Sequence, residues 1–404
     1  MKISIVTPNE RNMLEGAGDR MPLGATYVAT AAKKAGHDVR MFDLNHYDKK
    51  HFLHHAMYTQ PDVIGYSVIS SPSYNSMNHL LKTAKKLTPN AKHVVGGYHA
   101  NARPQDFPDA DFVIQGDGEK AIVDVAAGRT PQIGMQRTQF NKIPFPDRSL
   151  LNTTNYNMMQ NGLRTATMIT SKGCPGSCVF CGNYDKKTRF RTLENISDEL
   201  EQISNLEFKA LYLLDDAFTV NKRFAKDVSD VINSYKMPFR ITTRADLLDE
   251  PTIKHLAKNG MEIASIGIES GNDKVLQNLN KRTTTSQIEK TVTMLGDYGV
   301  DVKGFFMFGA PGESIVEAQQ TIDFALKLKE KGLTSADFYC LTPFPGTPVA
   351  NNPEKFGGRI MHNDWDKYLE IGKEEVQPAW ETDMMSAEQI KFYMEIAKET
   401  WNRN

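Results

Sequence analysis

The sequence predicts an α/β protein of two parallel sheets: an N-terminal doubly wound domain, a partial (β/α)6 barrel, and a small helical C-terminal extension. Three observations carry this expectation. Apolar strand-length segments alternate with amphipathic helix-length ones through the first third of the chain. A second series of six strand–helix units follows, and a stretch without period separates the two. At about 150 residues per domain, 404 residues also suit two or three domains.

In the first series, Lys2 to Pro8 reads as a buried strand and Pro22 to Gly36 as a helix stopped by its glycine. Strands follow at Asp38–Asp43, Asp62–Ile69, His93–Gly97 and Phe112–Gln115, with helices at Asn75–Leu87 and Glu119–Ala127. In such sheets ligands bind at the carboxyl ends of the strands, where glycines admit close backbone approach. Gly96-Gly97 and Gly116-Asp117-Gly118 fall there. The second series has strands at Thr165–Thr170, Ala210–Asp215, Phe239–Thr243, Ile263–Ile268, Val302–Phe308 and Ala336–Thr342. Helical segments such as Glu194–Ser204 and Ser314–Lys331 lie between them, so active groups belong on the loops after the strands. The expected boundaries are 1–135, a linker over 136–163, the barrel over 164–348, and an extension over 349–404 with a helix from Ala387 to Trp401.

Composition excludes several classes. Lys plus Arg number 48 and Asp plus Glu 49, leaving no overall electrostatic footprint for nucleic acid. The longest apolar runs fall far short of the ~18 residues of a membrane span. Pro8 to Asn12 ends the first apolar run as a strand would end, not a signal peptide, so a cytoplasmic location is expected. Four cysteines in such a length are no disulfide framework.

Three of them are clustered. Cys174, Cys178 and Cys181 stand as C-x3-C-x2-C on the loop after the first barrel strand. Thiolates on one tight loop suit a soft metal centre, and Cys is the usual ligand of Fe–S clusters. Three ligands for a four-iron cube leave one iron open to an external molecule. The spacing also admits a zinc knuckle lacking one ligand, or three unrelated buried cysteines. Cys340, far along the chain, reads as a core thiol, and the scattered methionines as core filler.

These residues, with Phe180 before the last cysteine, resemble the radical S-adenosylmethionine (SAM) superfamily. Further motifs resemble its subgroup with an N-terminal cobalamin-binding domain: Leu214-Asp215-Asp216-Ala217-Phe218, Thr243-Arg244-Ala245-Asp246, Gly267-Ile268-Glu269-Ser270-Gly271, Asn280-Lys281-Arg282-Thr283, Gly304 to Gly309 with Pro311-Gly312-Glu313, and Thr342-Pro343-Phe344-Pro345-Gly346-Thr347. The resemblance implies a TIM-type barrel and a [4Fe-4S] cluster on the three cysteines, whose open iron takes the amino and carboxylate groups of SAM. Reductive cleavage then releases a 5′-deoxyadenosyl radical. By the same resemblance, Asp215 or Asp216 accepts from the SAM amino group and Arg244 pairs with its carboxylate. Glu269 holds the ribose hydroxyls, while Phe180 and the backbone at Gly309, Ala310 and Pro311 flank adenine.

The N-terminal domain resembles the flavodoxin- or Rossmann-like cobalamin-binding domain of that subgroup through Pro22-Leu23-Gly24-Ala25, Ala32 to Val39, Val95-Gly96-Gly97-Tyr98-His99-Ala100, Asp111-Phe112-Val113 and Gly116-Asp117-Gly118-Glu119. The implied cobalamin contacts are Ser67, Ser70, Gly96, Gly97, His99, Gly116, Gly118 and Glu119. The D-x-H-x-x-G signature that gives cobalt a histidine elsewhere is absent, since Asp43-Leu44-Asn45-His46 has other spacing and no following glycine.

The resemblance therefore implies a cobalamin-dependent radical SAM enzyme, most simply a methyltransferase acting through methylcobalamin on an unactivated carbon or phosphorus. A non-methylating cyclase, oxidase or rearrangement enzyme is the second reading, and a non-catalytic Fe–S or cobalamin sensor the third. The implied partners are a small-molecule or peptide substrate and an electron donor such as flavodoxin or ferredoxin.

Overall fold

The computed structural model describes residues 1–11, 16–132, 134–368 and 377–403. The chain divides into two compact units, 1–158 with 364–374, and 159–363 with 375–404.

In the first unit, β1 (Lys2–Thr7), α1 (Leu23–Lys34), β2 (Asp38–Asp43), α2 (Lys49–Thr59), β3 (Val63–Ser67), α3 (Tyr74–Leu87), β4 (Lys92–Gly96), α4 (Tyr98–Ala102), β5 (Phe112–Val113) and α5 (Glu119–Ala126) follow in order. The strands form one parallel sheet in the order β2-β1-β3-β4-β5, a doubly wound arrangement whose direction reverses between β1 and β3. Both faces of β1 are covered, which is why five of its six residues are buried, the small polar Ser4 and Thr7 among them. Ile3, Ile5 and Val94 pack with Ala25, Ala29 and Ile122 on one face. Val6, Ile64 and Val95 pack with Phe52, Leu80 and Leu81 on the other. Helix α3 buries Met77, Leu80, Leu81 and Ala84, an i, i+3, i+4, i+7 stripe.

The second unit opens with β6 (Met159–Gln160) antiparallel to β7 (Leu163–Met168). A small antiparallel pair, β8 (Ser171–Lys172) with β9 (Arg189–Phe190), pins both ends of the cysteine loop. There follow α6 (Leu193–Asn205), β10 (Ala210–Leu213), α7 (Lys222–Ser234), β11 (Phe239–Thr243), α8 (Glu250–Lys258), β12 (Met261–Glu269), α9 (Asp273–Asn278), α10 (Thr285–Asp297), β13 (Asp301–Phe308), α11 (Ile315–Glu330) and β14 (Leu333–Cys340). Six parallel strands lie in chain order, β7-β10-β11-β12-β13-β14, as a curled half-barrel with β6 on its edge. Side-chain caps start its helices: Thr192, Asn221, Asp249, Thr284 and Ser314 each accept from a first-turn N–H, the last two in capping boxes.

The remaining elements are α12 (Pro348–Asn351), β15 (Gly358–Ile360), β16 (Trp380–Thr382) and α13 (Ala387–Arg403). The extension thus carries a β15–β16 hairpin besides its expected helix. Helix α13 buries Ile390, Met394, Ala397 and Trp401 in the barrel core. Residues 364–368 group with the first unit. Among the described residues no helix is long and apolar enough to cross a membrane.

Candidate functional site

The cysteine loop is held by its own backbone and by neighbours after β12. Cys174 N–H donates to Asp185 O (2.9 Å), and Val179 N–H to Leu279 O (3.1 Å). Asn280 Nδ2 donates to Ser177 O and Oγ, at 2.9 and 2.8 Å. Gly173, at φ 98°, has no room for a Cβ, which would stand 2.8 Å from Lys187 O. The thiols meet N–H groups rather than each other: Gly176 N–H to Cys174 Sγ and Asn183 N–H to Cys181 Sγ, both 3.4 Å, and Arg244 Nη1 to Cys178 Sγ, 3.5 Å. Burial pushes the Cys181 thiol up. Among the described residues no three His, Cys, Asp or Glu side chains gather to hold a single metal ion. Three soft thiols set apart on one loop, each fronted by N–H donors, fit a multi-iron cluster.

The paired aspartates after β10 separate into two environments. Asp215 is buried and saturated: Thr170 donates its N–H and Oγ1, and Ser171 its N–H and Oγ. Burial nevertheless lifts its carboxyl to about 6. Asp216 stands exposed, its Oδ2 accepting from Gly173 N–H at 2.7 Å beside the cysteine loop. After β11, Arg244 is gripped side-on by Asp246, Nε to Oδ1 at 2.8 Å and Nη2 to Oδ2 at 3.0 Å, and Nη2 also donates to Lys281 O.

Strand β12 ends on Glu269, a non-glycine residue at φ 70° beside a register irregularity with β13. Its Oε1 is 2.7 Å from Lys281 Nζ, and the side chains are 8% and 6% exposed, so neither charge is solvated. Gly267 makes the pair possible: a methyl there would overlap the Glu269 carboxylate and stand 2.6 Å from Lys281 Nζ. Lys281 Nζ also lies 5.9 Å from the Phe180 ring centre. Reading the sequence noted Lys281 within a motif and gave it no role; its signal is visible only once the chain is folded.

Gly309, at φ 85°, has Ile390 against it where a Cβ would point. Its N–H and that of Ala310 donate to Glu313 Oε2 (2.6 and 3.2 Å), and its carbonyl accepts from Trp380 Nε1 (2.9 Å). Pro311 O accepts from Asn278 Nδ2 (2.8 Å). Burial raises the Glu313 carboxyl to about 8, against the pull of those two N–H groups. Trp380 and Glu313 are thus supports that sequence reading did not single out.

In the first unit Ser67, Ser70, Gly96, Gly97, Gly116, Gly118 and Glu119 all lie at the carboxyl edge of the sheet. Ser70 Oγ donates to Glu10 Oε1 (2.7 Å), a carboxyl that burial raises. Gly97 and Gly116 accommodate this chain's own backbone: a Cβ on Gly97 would meet Val68 O at 2.6 Å, and one on Gly116 would overlap Gln136. Gly118 faces the Val28 side chain, Gly96 stands 4.0 Å from Ile114, and Glu119 is buried in the first turn of α5. His99 is enclosed, with Nδ1 2.9 Å from Ser71 Oγ, Nε2 3.0 Å from Asp106 Oδ2, and the Tyr74 and Trp365 rings beside it. Burial holds its imidazole below the usual range. His46 is also engaged, by Gly18 O (2.7 Å) and Arg11 Nη2 (3.0 Å). Ile69, 42% exposed between the serines, leaves an apolar face beside hydroxyls, suiting a macrocycle with an amide fringe.

Two family descriptions match the chain: the B12 binding domain over residues 12–126 and the radical SAM superfamily over 168–325. An uncharacterized methyltransferase of Pyrococcus horikoshii is 28% identical, covering 96% of this chain and 90% of its own. The anaerobic magnesium-protoporphyrin IX monomethyl ester cyclase of Cereibacter sphaeroides is 26% identical over 91% of this chain and 66% of its own. The solved structure of the radical SAM methyltransferase TsrM from Kitasatospora setae, with cobalamin and a [4Fe-4S] cluster bound, superposes with a TM-score of 0.75. It has 18% identity and covers 94% of this chain and 80% of its own. The chain joins a B12-binding domain to a radical SAM domain, and its cofactors are cobalamin, SAM and a [4Fe-4S] cluster.

Proposed function

We propose that this cobalamin-dependent radical SAM enzyme methylates an unactivated carbon or phosphorus centre of a small molecule. The observation that carries the reading is the linked set of charges around the cysteine loop. Asp216, Arg244 and Glu269 end three successive strands, and each is tied to the loop directly or through Lys281. When bound, the cluster supplies the electron that cleaves SAM to a 5′-deoxyadenosyl radical, and cobalamin serves as methyl carrier.

The chain's own residues do the positioning. Cys174, Cys178 and Cys181 hold iron and leave one position for SAM. Asp216, with one oxygen engaged, accepts from the SAM amino group; Asp215, saturated by Thr170 and Ser171, fixes the loop that bears it. Arg244, its Nε and Nη2 taken by Asp246 and Lys281 O and its Nη1 in contact with Cys178, offers the SAM carboxylate its charge and the one remaining Nη1–H. Glu269 accepts from the ribose hydroxyls, and Lys281 holds its carboxylate in place. Phe180 and the backbone from Gly309 to Pro311 flank adenine. In the first unit, Ser67, Ser70 and the backbone at Gly96 and Gly118 meet the corrin amides and nucleotide tail, while His99 supports the pocket wall from inside.

The methyltransferase names of the Pyrococcus relative and of TsrM support methyl transfer. The cyclase relative keeps a second reading, ring closure without methylation, in contention. Incubating the reconstituted enzyme with methyl-deuterated SAM and a metabolite extract separates them. Methyl transfer gives a product carrying the label; a cyclase gives a dehydrogenated product without it.

A further inference from the structure

Outside the cofactor contacts, one face of the cysteine loop bears charge that the protein does not use. Pro175 is exposed between the first two ligands, with Gly176 and Ser177 beside it. Lys186 Nζ donates to Gly176 O at 2.9 Å, and Arg282 Nη2 to Ser177 Oγ at 3.3 Å. Lys187 follows on the same strand approach. All three cations are exposed, and among the described residues none pairs with a carboxylate. The neighbouring acid, Asp185, is buried and its Oδ2 is engaged by Arg189 at 2.7 Å.

We propose that Lys186, Lys187 and Arg282 form the docking surface for an acidic one-electron carrier protein, which delivers its electron through the Pro175–Ser177 face. The inference rests on the reductive reading given above and adds where the reductant binds. Lys186 and Arg282 touch the peptide that joins Cys174 to Cys178, and Lys187 stands next to Lys186 in sequence, so a partner seated on them lies beside the cysteine loop. In the transfer the carrier is oxidised by one electron and the cluster reduced by one; no atom or proton need move. Unpaired charges at a rim act mainly on encounter rate and salt dependence, as suits a partner that must leave after each electron. An anionic substrate group is the competing occupant. It would need these cations on the reacting side, and they hold the loop's exposed apex instead.

The test uses reconstituted enzyme and a bacterial flavodoxin as probe. Binding of oxidised flavodoxin is measured by calorimetry at low and high salt, and anaerobic reoxidation of its reduced form by stopped-flow absorbance. Lys187→Glu, which removes no hydrogen bond from the cysteine loop, and the triple reversal Lys186→Glu/Lys187→Glu/Arg282→Glu are compared with wild type at matched iron content. The expected result is weaker binding at low salt, about tenfold or more in association rate for the triple variant. Its salt dependence should flatten, while dithionite still supports wild-type 5′-deoxyadenosine formation in Lys187→Glu. Unchanged flavodoxin affinity and rate in both variants would overturn the proposal. So would a Lys187→Glu loss that is equal with dithionite, because the charge would then serve the loop or the substrate. The binding arm needs no turnover, so it stands or falls apart from the reductive reading itself.

Discussion

The carboxyl edge of the barrel sheet ties its charges to one another. Glu269 is paired with Lys281, Lys281 O with Arg244, Arg244 with Asp246 and Cys178, and Asp216 with the loop backbone. The carboxyl edge of the first sheet ties its polar groups inward instead. His99 is locked by Ser71 and Asp106, Ser70 by Glu10, and Gly97 and Gly116 by the backbone they press against. On the reading proposed above, the contrast separates two ways of recognising a cofactor. A small, highly charged molecule needs a few charges fixed before it arrives, because each misplaced one costs affinity. A large macrocycle is held by shape and many weak contacts, so no single side chain carries its binding.

The largest effect that would break this comparison is at the cysteines. Ala at any one of Cys174, Cys178 or Cys181 should abolish the iron–thiolate absorption and all 5′-deoxyadenosine formation, whereas Cys340→Ala, at the buried end of β14, should keep both. Loss on changing Cys340, with retention on changing Cys181, would displace the ligand assignment.

Lys281→Met should come next. It leaves Glu269 buried without its cation, a change that typically costs ~3–5 kcal/mol in stability. Denaturant unfolding followed by a barrel-unit tryptophan such as the buried Trp380 reads it. Adding Glu269→Gln should restore much of the loss. A single variant as stable as wild type would show the pair to be dispensable.

Arg244→Ala should weaken SAM binding about tenfold to a hundredfold, the range for one charge-assisted contact, and leave iron content intact. Iron lost in parallel with SAM affinity would instead assign Arg244 to the thiolates it touches.

Glu313 supplies a pH test. Its folded carboxyl lies near 8 against an ordinary 4.5. Its contribution is therefore fully present below about 4.5 and is lost as pH rises through 8. Thermal midpoints of the barrel unit should fall across that window, and Glu313→Gln should flatten the fall. Equal slopes in both proteins would place the titration elsewhere.

The smallest effect belongs to the first sheet. His46→Ala and His99→Phe should leave the electron paramagnetic resonance spectrum of the cob(II)alamin form without nitrogen superhyperfine splitting, as in wild type. Each imidazole has both ring nitrogens occupied by protein groups. Splitting in wild type that vanishes in either variant would contradict this account.

Much of this was legible in the sequence, for physical reasons. Three cysteines within eight residues report a local loop, and strand-to-helix alternation reports parallel sheets, because both signals are short in range. The pairing of Lys281 with Glu269 and the grip of Trp380 on Gly309 span 12 and 71 positions, and no local pattern announces them. Asp215 and Asp216 were indistinguishable as letters; in the loop after β10 the first turns in to Thr170 and Ser171 and the second stays exposed. His99 followed a glycine pair, as a ligand-facing residue would, yet one turn of α4 carries it into the interior. Short elements such as α4 and the β15–β16 hairpin have too few residues to show a period.

The most direct test of the account measures the two products of SAM in reconstituted enzyme, by mass spectrometry, with cobalamin supplied and withheld. The account predicts S-adenosylhomocysteine together with 5′-deoxyadenosine when cobalamin is present, and loss of S-adenosylhomocysteine alone when it is absent. 5′-Deoxyadenosine as the sole product under both conditions would contradict methyl transfer.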